Sequence, residues 1–200
     1  MDGQAYWDRQ AGTYDRATSW VEPRLLAPAR AWLAQRVRGR TLDVATGTGA
    51  NLPHLRGRAD EIVVTDRSEP MLAVARRRAS DLGVPVTAVR ADGAALPWPD
   101  ASFDAVVCTF ALCCVPDEVA VLSELARVVR PDGVVLLADH VESSAWPLRV
   151  LQGAAELVER RHGERLRRRP LVRLEEAGLV AVEHAATRFR LVERVVARRA

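Results

Sequence analysis

Two hydrophobic periodicities alternate along most of this chain, and together they predict strands followed by helices. Short, nearly continuous apolar stretches are typical of strands covered on both faces, and they occur at 41–45, 61–66, 85–92, 102–109 and 134–140. Helical spacing of apolar residues fills two of the intervals, at 68–83 and 117–129. Ser68 suits the cap of the first of these helices and Gly83 suits its end. Strands alternating with helices predict an α/β fold with a parallel, doubly wound sheet.

The pattern is less regular on either side of this core. Two helices are predicted before it, at 5–19 and 23–37. After His140 we expect helices at 145–161 and 169–178 and strands at 179–185 and 189–199. No internal repeat, linker or change of composition divides the 200 residues, so a single domain is expected.

The composition is that of a globular protein, with 48% apolar and 28% charged residues and a net charge of +3. All 29 basic residues are arginine, and six of them lie between Arg160 and Arg169. No aromatic residues interleave with this cluster to stack on bases, so we interpret it as a solvated helix and loop and expect no nucleic-acid partner. The longest near-apolar run, at 105–115, is too short for a bilayer span of about 20 residues.

The three cysteines lie together in that apolar run, as Cys108, Cys113 and Cys114. An odd count in one segment argues against a disulfide framework, and the N-terminal residues lack a charged-then-apolar leader, so a cytoplasmic location is expected. The spacing lacks the second cysteine pair and the histidines of a zinc site. We therefore expect no metal and interpret the cysteines as small core residues.

Polar residues gather where the predicted strands end. Asp43 and the loop from Thr46 to Gly49 follow the first strand, and Asp66 and Asp92 end the second and third. In an open parallel sheet, ligands bind beyond the carboxyl ends of the strands. Three acidic side chains from successive strands are therefore expected to meet at one site.

Several ligands could occupy such a site. A phosphate loop is excluded because the chain has no lysine. The fingerprint of a dinucleotide site has three small residues, and this chain matches two of them with Gly47 and Gly49 but has Leu52 at the third. The match is partial, and an NAD(P)-dependent oxidoreductase stays as an alternative. S-adenosylmethionine fits better, because carboxylates suit a nucleoside with a sulfonium cation and no phosphate. A binding protein that holds this cofactor without catalysis is a second alternative.

Five segments in order carry a family resemblance: LDVATGTG at 42–49, VVTDRSEPMLAVAR at 63–76, the stretches 91–117 and 125–140, and the pair Tyr14-Asp15. Together they resemble the class I S-adenosylmethionine-dependent methyltransferases, in the branch related to quinone biosynthesis. The segment 139–160 is similar to small methyltransferases that act on thiols or lipids. The resemblance implies a Rossmann-like, mostly parallel sheet with an antiparallel C-terminal strand.

The resemblance also divides the single domain and suggests a substrate. It implies an N-terminal helical lid at 1–38, a cofactor-binding core at 40–140, substrate-side helices at 141–178 and C-terminal strands at 179–199. The acceptor of the methyl group is expected to be a small, partly apolar metabolite with a sulfur, oxygen, nitrogen or carbon acceptor atom. Three residues, Trp146, Leu148 and Leu151, are expected to wall an apolar pocket.

The site residues that the resemblance implies begin with the cofactor-binding positions. These are Tyr14, Asp43, Ala45, Thr46, Gly47, Gly49, Asp66, Arg67, Met71, Asp92, Gly93, Ala94, Cys108, Thr109 and Cys113. His140 is the candidate catalytic residue, as a general base, and the alternative is a satisfied polar residue at a strand end. The chain departs from the family pattern at Ala45, where a glycine is common, and at Asp132 in the turn before the fifth strand.

Overall fold

A seven-stranded sheet forms the centre of the fold in the computed structural model, which describes residues 3–159 and 170–200. The strands are β1 (Arg40–Val44), β2 (Glu61–Asp66), β3 (Thr87–Arg90), β4 (Phe103–Thr109), β5 (Val129–His140), β6 (Leu179–Ala186) and β7 (Val192–Arg199). Their order is β3-β2-β1-β4-β5-β7-β6, parallel from β3 to β5. β7 runs antiparallel to both neighbours, as expected for a Rossmann-like sheet of this kind. The strand order reverses between β1 and β4, where a ligand crevice is expected.

Seven α-helices accompany the sheet within the described residues. They are α1 (Gly3–Gln10), α2 (Tyr14–Thr18), α3 (Ala27–Ala34), α4 (Leu52–Leu55), α5 (Glu69–Leu82), α6 (Glu118–Val128) and α7 (Trp146–Glu159). The two core helices end as their sequences predict. Ser68 accepts a hydrogen bond from the Met71 amide at 3.3 Å, and Gly83 closes α5 in the left-handed conformation.

The sheet is covered on both faces. Consecutive residues of the central strands point to opposite sides, so that Val63 and Val135 join one apolar cluster with α6, while Val64 and Leu136 join the other with α3, α4 and α5. This double coverage explains why the strand sequences are apolar without alternation. It also leaves the loops at the strand ends as the place where polar groups gather.

Several boundaries differ from the sequence prediction. The helix expected at 5–19 is broken into α1 and α2, and the one expected at 23–37 begins as a π-helical turn at Glu22–Leu26. β3 is shorter than predicted. β5 begins at Val129 rather than 134, because residues 130–133 bulge within the strand instead of forming a separate turn.

The C-terminal part differs most. The helix predicted at 169–178 is two short 3-10 turns, Pro170–Arg173 and Glu175–Ala177. The last strand begins at Val192 because a 3-10 turn precedes it, with Phe189 at φ +64°. The arginine cluster at 160–169 lies outside the described residues. None of the helices in the described ranges is long and apolar enough to cross a bilayer.

Candidate functional site

A cavity of about 440 Å³ opens where the strand order reverses, at the carboxyl ends of β1 to β4. Its wall brings together most of the residues that the sequence singled out. The predicted residues on this wall are Tyr14, Ala45, Thr46, Gly47, Asp66, Arg67, Met71, Asp92, Gly93, Ala94, Cys108 and Thr109. Asp43, Gly49, Cys113 and His140 do not line it.

The loop after β1 approaches the cavity with its backbone. Ala45, Gly47 and Gly49 all have positive φ values of 53°, 55° and 80°. At Gly49 an added Cβ would lie 2.9 Å from the side chain of Leu52, so this glycine serves the packing of the loop rather than direct contact with a ligand. Ala45 adopts the left-handed conformation without the freedom of a glycine, which costs about 1–2 kcal/mol.

Asp66 ties the glycine loop to the second strand. One carboxylate oxygen accepts the Gly47 amide at 2.9 Å, and the other accepts the Ser68 amide at 2.9 Å. Burial raises the pKa of Asp66, although these backbone bonds oppose the shift. A carboxylate has about four lone-pair positions, so the oxygens of Asp66 can still accept from a ligand in the cavity.

Asp92 stands at the open edge of the same wall. It is 44% exposed, forms an ion pair with Arg67 at 3.4 Å, and accepts the Ala94 amide at 3.0 Å. These two acidic residues therefore differ, since two backbone amides hold Asp66 while Asp92 is partly solvated.

Asp43 corrects the expectation of a third carboxylate on the wall. It is fully buried beneath the loop, where Thr46 donates to it at 2.6 Å and Asn51 at 2.8 Å. Burial raises the pKa of Asp43 from 3.8 to about 6, against the effect of these bonds and of Arg30. Its direct partners are protein groups, so any action on a ligand passes through the loop that it supports.

A buried arginine on the cavity wall was missed by the sequence analysis. Arg30 of α3 is 5% exposed, and its Nη1 donates to Asn51 Oδ1 at 3.0 Å and to Thr109 Oγ1. Its Nε donates to Glu22 at 3.0 Å. We call Glu22, Arg30, Asn51 and Thr109 the arginine cluster. One signal could have identified it, because Arg30 interrupts the apolar stripe of its helix among Leu26, Leu33 and Ala34.

Phe110 is the second residue that was missed, and it shapes the same end of the cavity. It has φ +56°, an uncommon conformation for a bulky side chain, and the Arg30 guanidinium carbon lies 4.9 Å from its ring centroid. Its other neighbour is His140, with a centroid distance of 4.9 Å. His140 therefore packs beside Phe110, off the cavity wall.

This position weakens the case for His140 as a general base. Burial lowers the pKa of His140 from 6.5 to about 4, and the charge of Arg30 adds to the shift. Such an imidazole is neutral at pH 7 but is a weak base. Its catalytic role stays a prediction that the geometry does not favour.

Cys108 and Cys113 are buried core residues, and Cys113 lies close to Asp139 and His140. Burial raises the pKa of Cys108 well above 9.0, and a hydrogen bond with Cys114 together with burial does the same for Cys113. The ligand atoms of Cys113, Asp139 and His140 lie within 4.8 Å of one another, a spacing that could hold a metal ion. One histidine therefore lies beside Cys113 in space, although the spacing along the chain does not show the pattern of a zinc site.

That neighbourhood has a structural explanation. The two oxygens of Asp139 accept the Cys113 amide at 3.1 Å and the His140 amide at 2.8 Å. The carboxylate thus fastens the 3-10 turn Leu112–Cys114 to the end of β5. We assign no metal to it.

The N-terminal helices close one side of the cavity. Gln4 and Trp7 of α1 and Tyr14 of α2 lie on its wall, and the rings of Trp7 and Tyr14 are 6.1 Å apart. Of these, only Tyr14 was predicted. A second cavity of about 410 Å³ lies on the other side of Tyr14 and Ala50.

The apolar pocket wall predicted after β5 is not found in this cavity. Trp146 is 70% exposed, and neither it nor Leu148 lines the cavity. The side chain of Leu151 lies outside the described part of the structure. The apolar wall is instead provided by the segment after β4, namely by Phe110, Ala111, Leu112, Val115, Pro116 and Val121.

The chain is similar in sequence to known methyltransferases. Residues 42–137 match the family described as "Methyltransferase domain". The chain is 43% identical over 102 residues to a demethylmenaquinone methyltransferase of Thermus thermophilus, covering 50% of this chain and 46% of that protein. It is 38% identical over 118 residues to a phosphatidylethanolamine N-methyltransferase of Cereibacter sphaeroides, covering 58% of each.

The fold as a whole also has solved counterparts. A SAM-dependent methyltransferase of Thermotoga maritima, described as a possible histamine N-methyltransferase, superposes with a TM-score of 0.77 at 17% identity, over 99% of this chain and 100% of that one. At that identity the likeness shows the fold. The chain spans about half the length of the curated relatives it matches.

Proposed function

We propose that this chain is an S-adenosylmethionine-dependent methyltransferase, since residues 42–137 match a methyltransferase domain, and that it transfers a methyl group to a small, partly apolar metabolite. The cofactor binds in the cavity at the strand ends. The acceptor enters beside it, against the apolar segment that follows β4. The N-terminal helices act as the lid of a single domain.

The observation that carries this proposal is the division of one cavity into a carboxylate side and an apolar side. On the first side Asp66 and Asp92 offer carboxylate oxygens to the cavity, and we assign Asp66 to the ribose hydroxyls and Asp92, with the Ala94 region, to the adenine. On the second side Leu112, Pro116 and Val121 are apolar, and the acidic residue of that segment, Asp117, caps α6 by accepting the Val119 and Ala120 amides at 3.0 Å. A nucleoside with a charged sulfur on one side and an apolar acceptor on the other would fill both.

The chemistry asks little of the side chains. A sulfonium already activates its methyl group, so the protein must align the acceptor atom, the methyl carbon and the sulfur in line and exclude water. S-adenosylmethionine, held by Asp66 and Asp92, would supply the activated methyl group, and the acceptor's lone pair would take that carbon as the carbon–sulfur bond breaks, with S-adenosylhomocysteine as the leaving product. An acceptor proton, where present, is lost to solvent or to a base.

Burial protects the site from a side reaction. Cys108 lies on the cavity wall, and a thiolate there would compete for the methyl group. Because burial raises the pKa of Cys108 far above neutrality, the residue remains a thiol and a poor nucleophile. The free cysteines are also consistent with our proposal of a reducing, cytoplasmic location.

The acceptor class is inferred from the cavity and from the relatives. Two of the relatives reported above are named for demethylmenaquinone and for phosphatidylethanolamine, and both of these molecules have large apolar parts. The apolar wall after β4 suits a partly apolar acceptor in this chain as well. We expect no nucleic-acid substrate.

The test is binding followed by transfer. We expect S-adenosylmethionine and S-adenosylhomocysteine to raise the melting temperature, with no effect from NAD or NADP. Isotopically labelled S-adenosylmethionine should then deliver its methyl group to a member of a panel of apolar thiols, phenols, amines and quinols.

Each part of the proposal can fail separately. Stabilisation by a nicotinamide nucleotide alone would replace it with an oxidoreductase. Binding of S-adenosylmethionine without transfer to any panel member, in the presence of saturating cofactor, would favour a non-catalytic binding protein. Transfer only to charged, fully polar acceptors would overturn the acceptor class.

A further inference from the structure

The lid helix α2 is not held to the core by apolar burial. None of its five residues, Tyr14–Thr18, is buried, although Tyr14 stands on the cavity wall. A segment with few buried contacts opens more easily than the core of a protein does. Polar contacts therefore matter more for the position of α2 than for the helices that pack on the sheet.

Asp15 supplies polar contacts between α2 and the core. Its Oδ1 accepts a hydrogen bond from the Thr48 hydroxyl at 2.7 Å, and its Oδ2 forms an ion pair with Nη2 of Arg78 on α5. Nη1 of Arg78 also reaches Thr48 Oγ1, at 3.5 Å. We call Asp15, Thr48 and Arg78 the lid clasp. It joins the lid, the glycine loop and α5.

The clasp reaches the part of the glycine loop that faces the cavity. Thr48 is 1% exposed, lies between Gly47 and Gly49, and is on the cavity wall. A buried hydroxyl needs a hydrogen-bond partner, and here that partner is a residue of the lid. The lid is therefore fastened to the loop that the proposed cofactor contacts.

The other two members of the clasp stand away from that cavity. Asp15 and Arg78 do not line it and line the second cavity instead, while Tyr14 and Ala50 lie on the walls of both. Moving α2 away from the core would take Tyr14 out of the partition between the two cavities and join them. The clasp therefore controls whether the first cavity is closed on this side.

The clasp is weak enough to open. The side chain of Asp15 is 48% exposed and that of Arg78 is 26% exposed. An ion pair this accessible to water stabilises a fold only slightly, and the Thr48 hydroxyl adds one hydrogen bond to a charged acceptor. The lid can therefore open without unfolding of the sheet.

We propose that Asp15 is a positioning residue that holds the lid through this clasp and thereby sets how fast the cofactor and its demethylated product enter and leave. The proposal rests on the proposed function, since it takes S-adenosylmethionine as the ligand of the cavity. Every atom of the clasp belongs to the protein, and Asp15 is off the cavity wall. Breaking the clasp should therefore raise the rates of entry and exit together and change the equilibrium affinity much less.

The first arm of the experiment measures ligand exchange. Association and dissociation rate constants of S-adenosylhomocysteine are measured by stopped-flow tryptophan fluorescence, for which Trp7 on the cavity wall is a reporter. In Asp15→Ala and in Arg78→Met both rate constants should rise, by about threefold to tenfold in Asp15→Ala, while Kd changes by less than about twofold. The double variant should be no faster than Asp15→Ala, because that substitution already removes the partner of Arg78.

The second arm needs no ligand. Hydrogen exchange of the free protein, followed by mass spectrometry, should be faster at residues 14–18 in Asp15→Ala than in the wild type and unchanged in β1 and β4. The matched control for both arms is Arg76→Met. It removes an equally exposed ion pair of α5, the one with Glu69, and should leave the rate constants and the exchange at 14–18 as in the wild type.

The outcomes separate this proposal from the proposed function. Faster dissociation of Asp15→Ala with an unchanged association rate, and so a weaker Kd, would make Asp15 a ligand contact and overturn its role in the clasp. Unchanged rate constants, or unchanged exchange at 14–18, would overturn that role while the proposed function stands. A wild type that binds no S-adenosylhomocysteine would overturn the proposed function and the control of its ligand exchange together.

Discussion

The two ends of the cavity are built in different ways. At the carboxylate end, Asp66 and Asp92 follow directly from β2 and β3, and Asp92 is 44% exposed. At the other end, the arginine cluster joins α3, the loop before α4 and the end of β4 through buried side chains. At the carboxylate end, backbone amides hold the carboxylates of Asp66 and Asp92, whose oxygens can accept hydrogen bonds from a ligand. The second end depends on a side-chain network whose members need one another, so substitutions there should act first on stability.

The largest expected effect comes from breaking that network at Asn51. Asn51→Leu removes the donor to Asp43 at 2.8 Å and to Thr109 at 3.0 Å, and it removes an acceptor of Arg30. Because buried charged groups then lose partners, we expect the free energy of unfolding to fall by about 3 kcal/mol or more. Urea denaturation measures this change.

The matched substitution at the exposed end is Asp92→Asn. It breaks only a solvated ion pair with Arg67, so the free energy of unfolding should change by less than about 1 kcal/mol. Similar losses for Asn51→Leu and Asp92→Asn would contradict the difference drawn between the two ends.

The next effect is on the pH dependence of stability, through His140. Its pKa is lowered from 6.5 to about 4 in the folded state, so the unfolded chain takes up a proton in this range before the folded one does. The contribution of His140 is present above pH 6.5 and is lost as the pH falls toward 4, by about 3 kcal/mol in all. The raised pKa values of Asp43 and Asp139, both about 6, act in the opposite direction, since stability from these groups falls as the pH rises from 3.8 to 6.

A comparison of variants separates these contributions. The stability difference between the wild type and His140→Asn should shrink by about 3 kcal/mol between pH 7 and pH 4, because only the wild type loses the histidine contribution. Parallel stability curves for the wild type and His140→Asn would show that burial does not hold His140 neutral.

At the carboxylate end the expected effect is on cofactor affinity. Asp66→Ala removes the acceptor of the Gly47 and Ser68 amides together with the proposed ribose contact. We expect a loss of about 1.5–3 kcal/mol, roughly tenfold to a hundredfold, in the affinity for S-adenosylmethionine. Calorimetry measures it, with Asp92→Asn as the control that should lose less. An unchanged affinity for Asp66→Ala would remove this residue from the site.

The contrast between the ends also explains what the sequence could predict. Asp66 and Asp92 were found because a strand and its end are consecutive in the chain, and parallel strand ends meet at one edge of the sheet. The β-α alternation was confirmed for the same reason, since hydrophobic periodicity records local structure and burial together. The site positions were thus predictable where topology alone assembles them.

The arginine cluster could not be predicted in this way. Arg30 is one of 29 arginines, and its partners Asn51 and Thr109 are 21 and 79 residues away along the chain. The left-handed conformation of Phe110 is uncommon for a bulky residue, so the residue type gives no sign of it. The sequence analysis expected Asp43 on the cavity wall. Nothing in the sequence shows that Thr46 and Asn51 donate hydrogen bonds to its two carboxylate oxygens.

The smallest expected effect is on the free energy of unfolding, through Ala45, which departs from the glycine that is common in the family. Ala45 has φ +53°, where a glycine would be unstrained. Ala45→Gly should relieve about 1–2 kcal/mol of backbone strain in the folded state. Glycine also has a larger conformational entropy in the unfolded chain, which costs about 0.5–1 kcal/mol. We therefore expect Ala45→Gly to raise the free energy of unfolding by about 0.5–1 kcal/mol. Ala50→Gly, in the same loop without a positive φ, should lower it. Should Ala45→Gly destabilise the protein instead, the Ala45 methyl group must contribute more through its contacts at the cavity wall than its backbone loses.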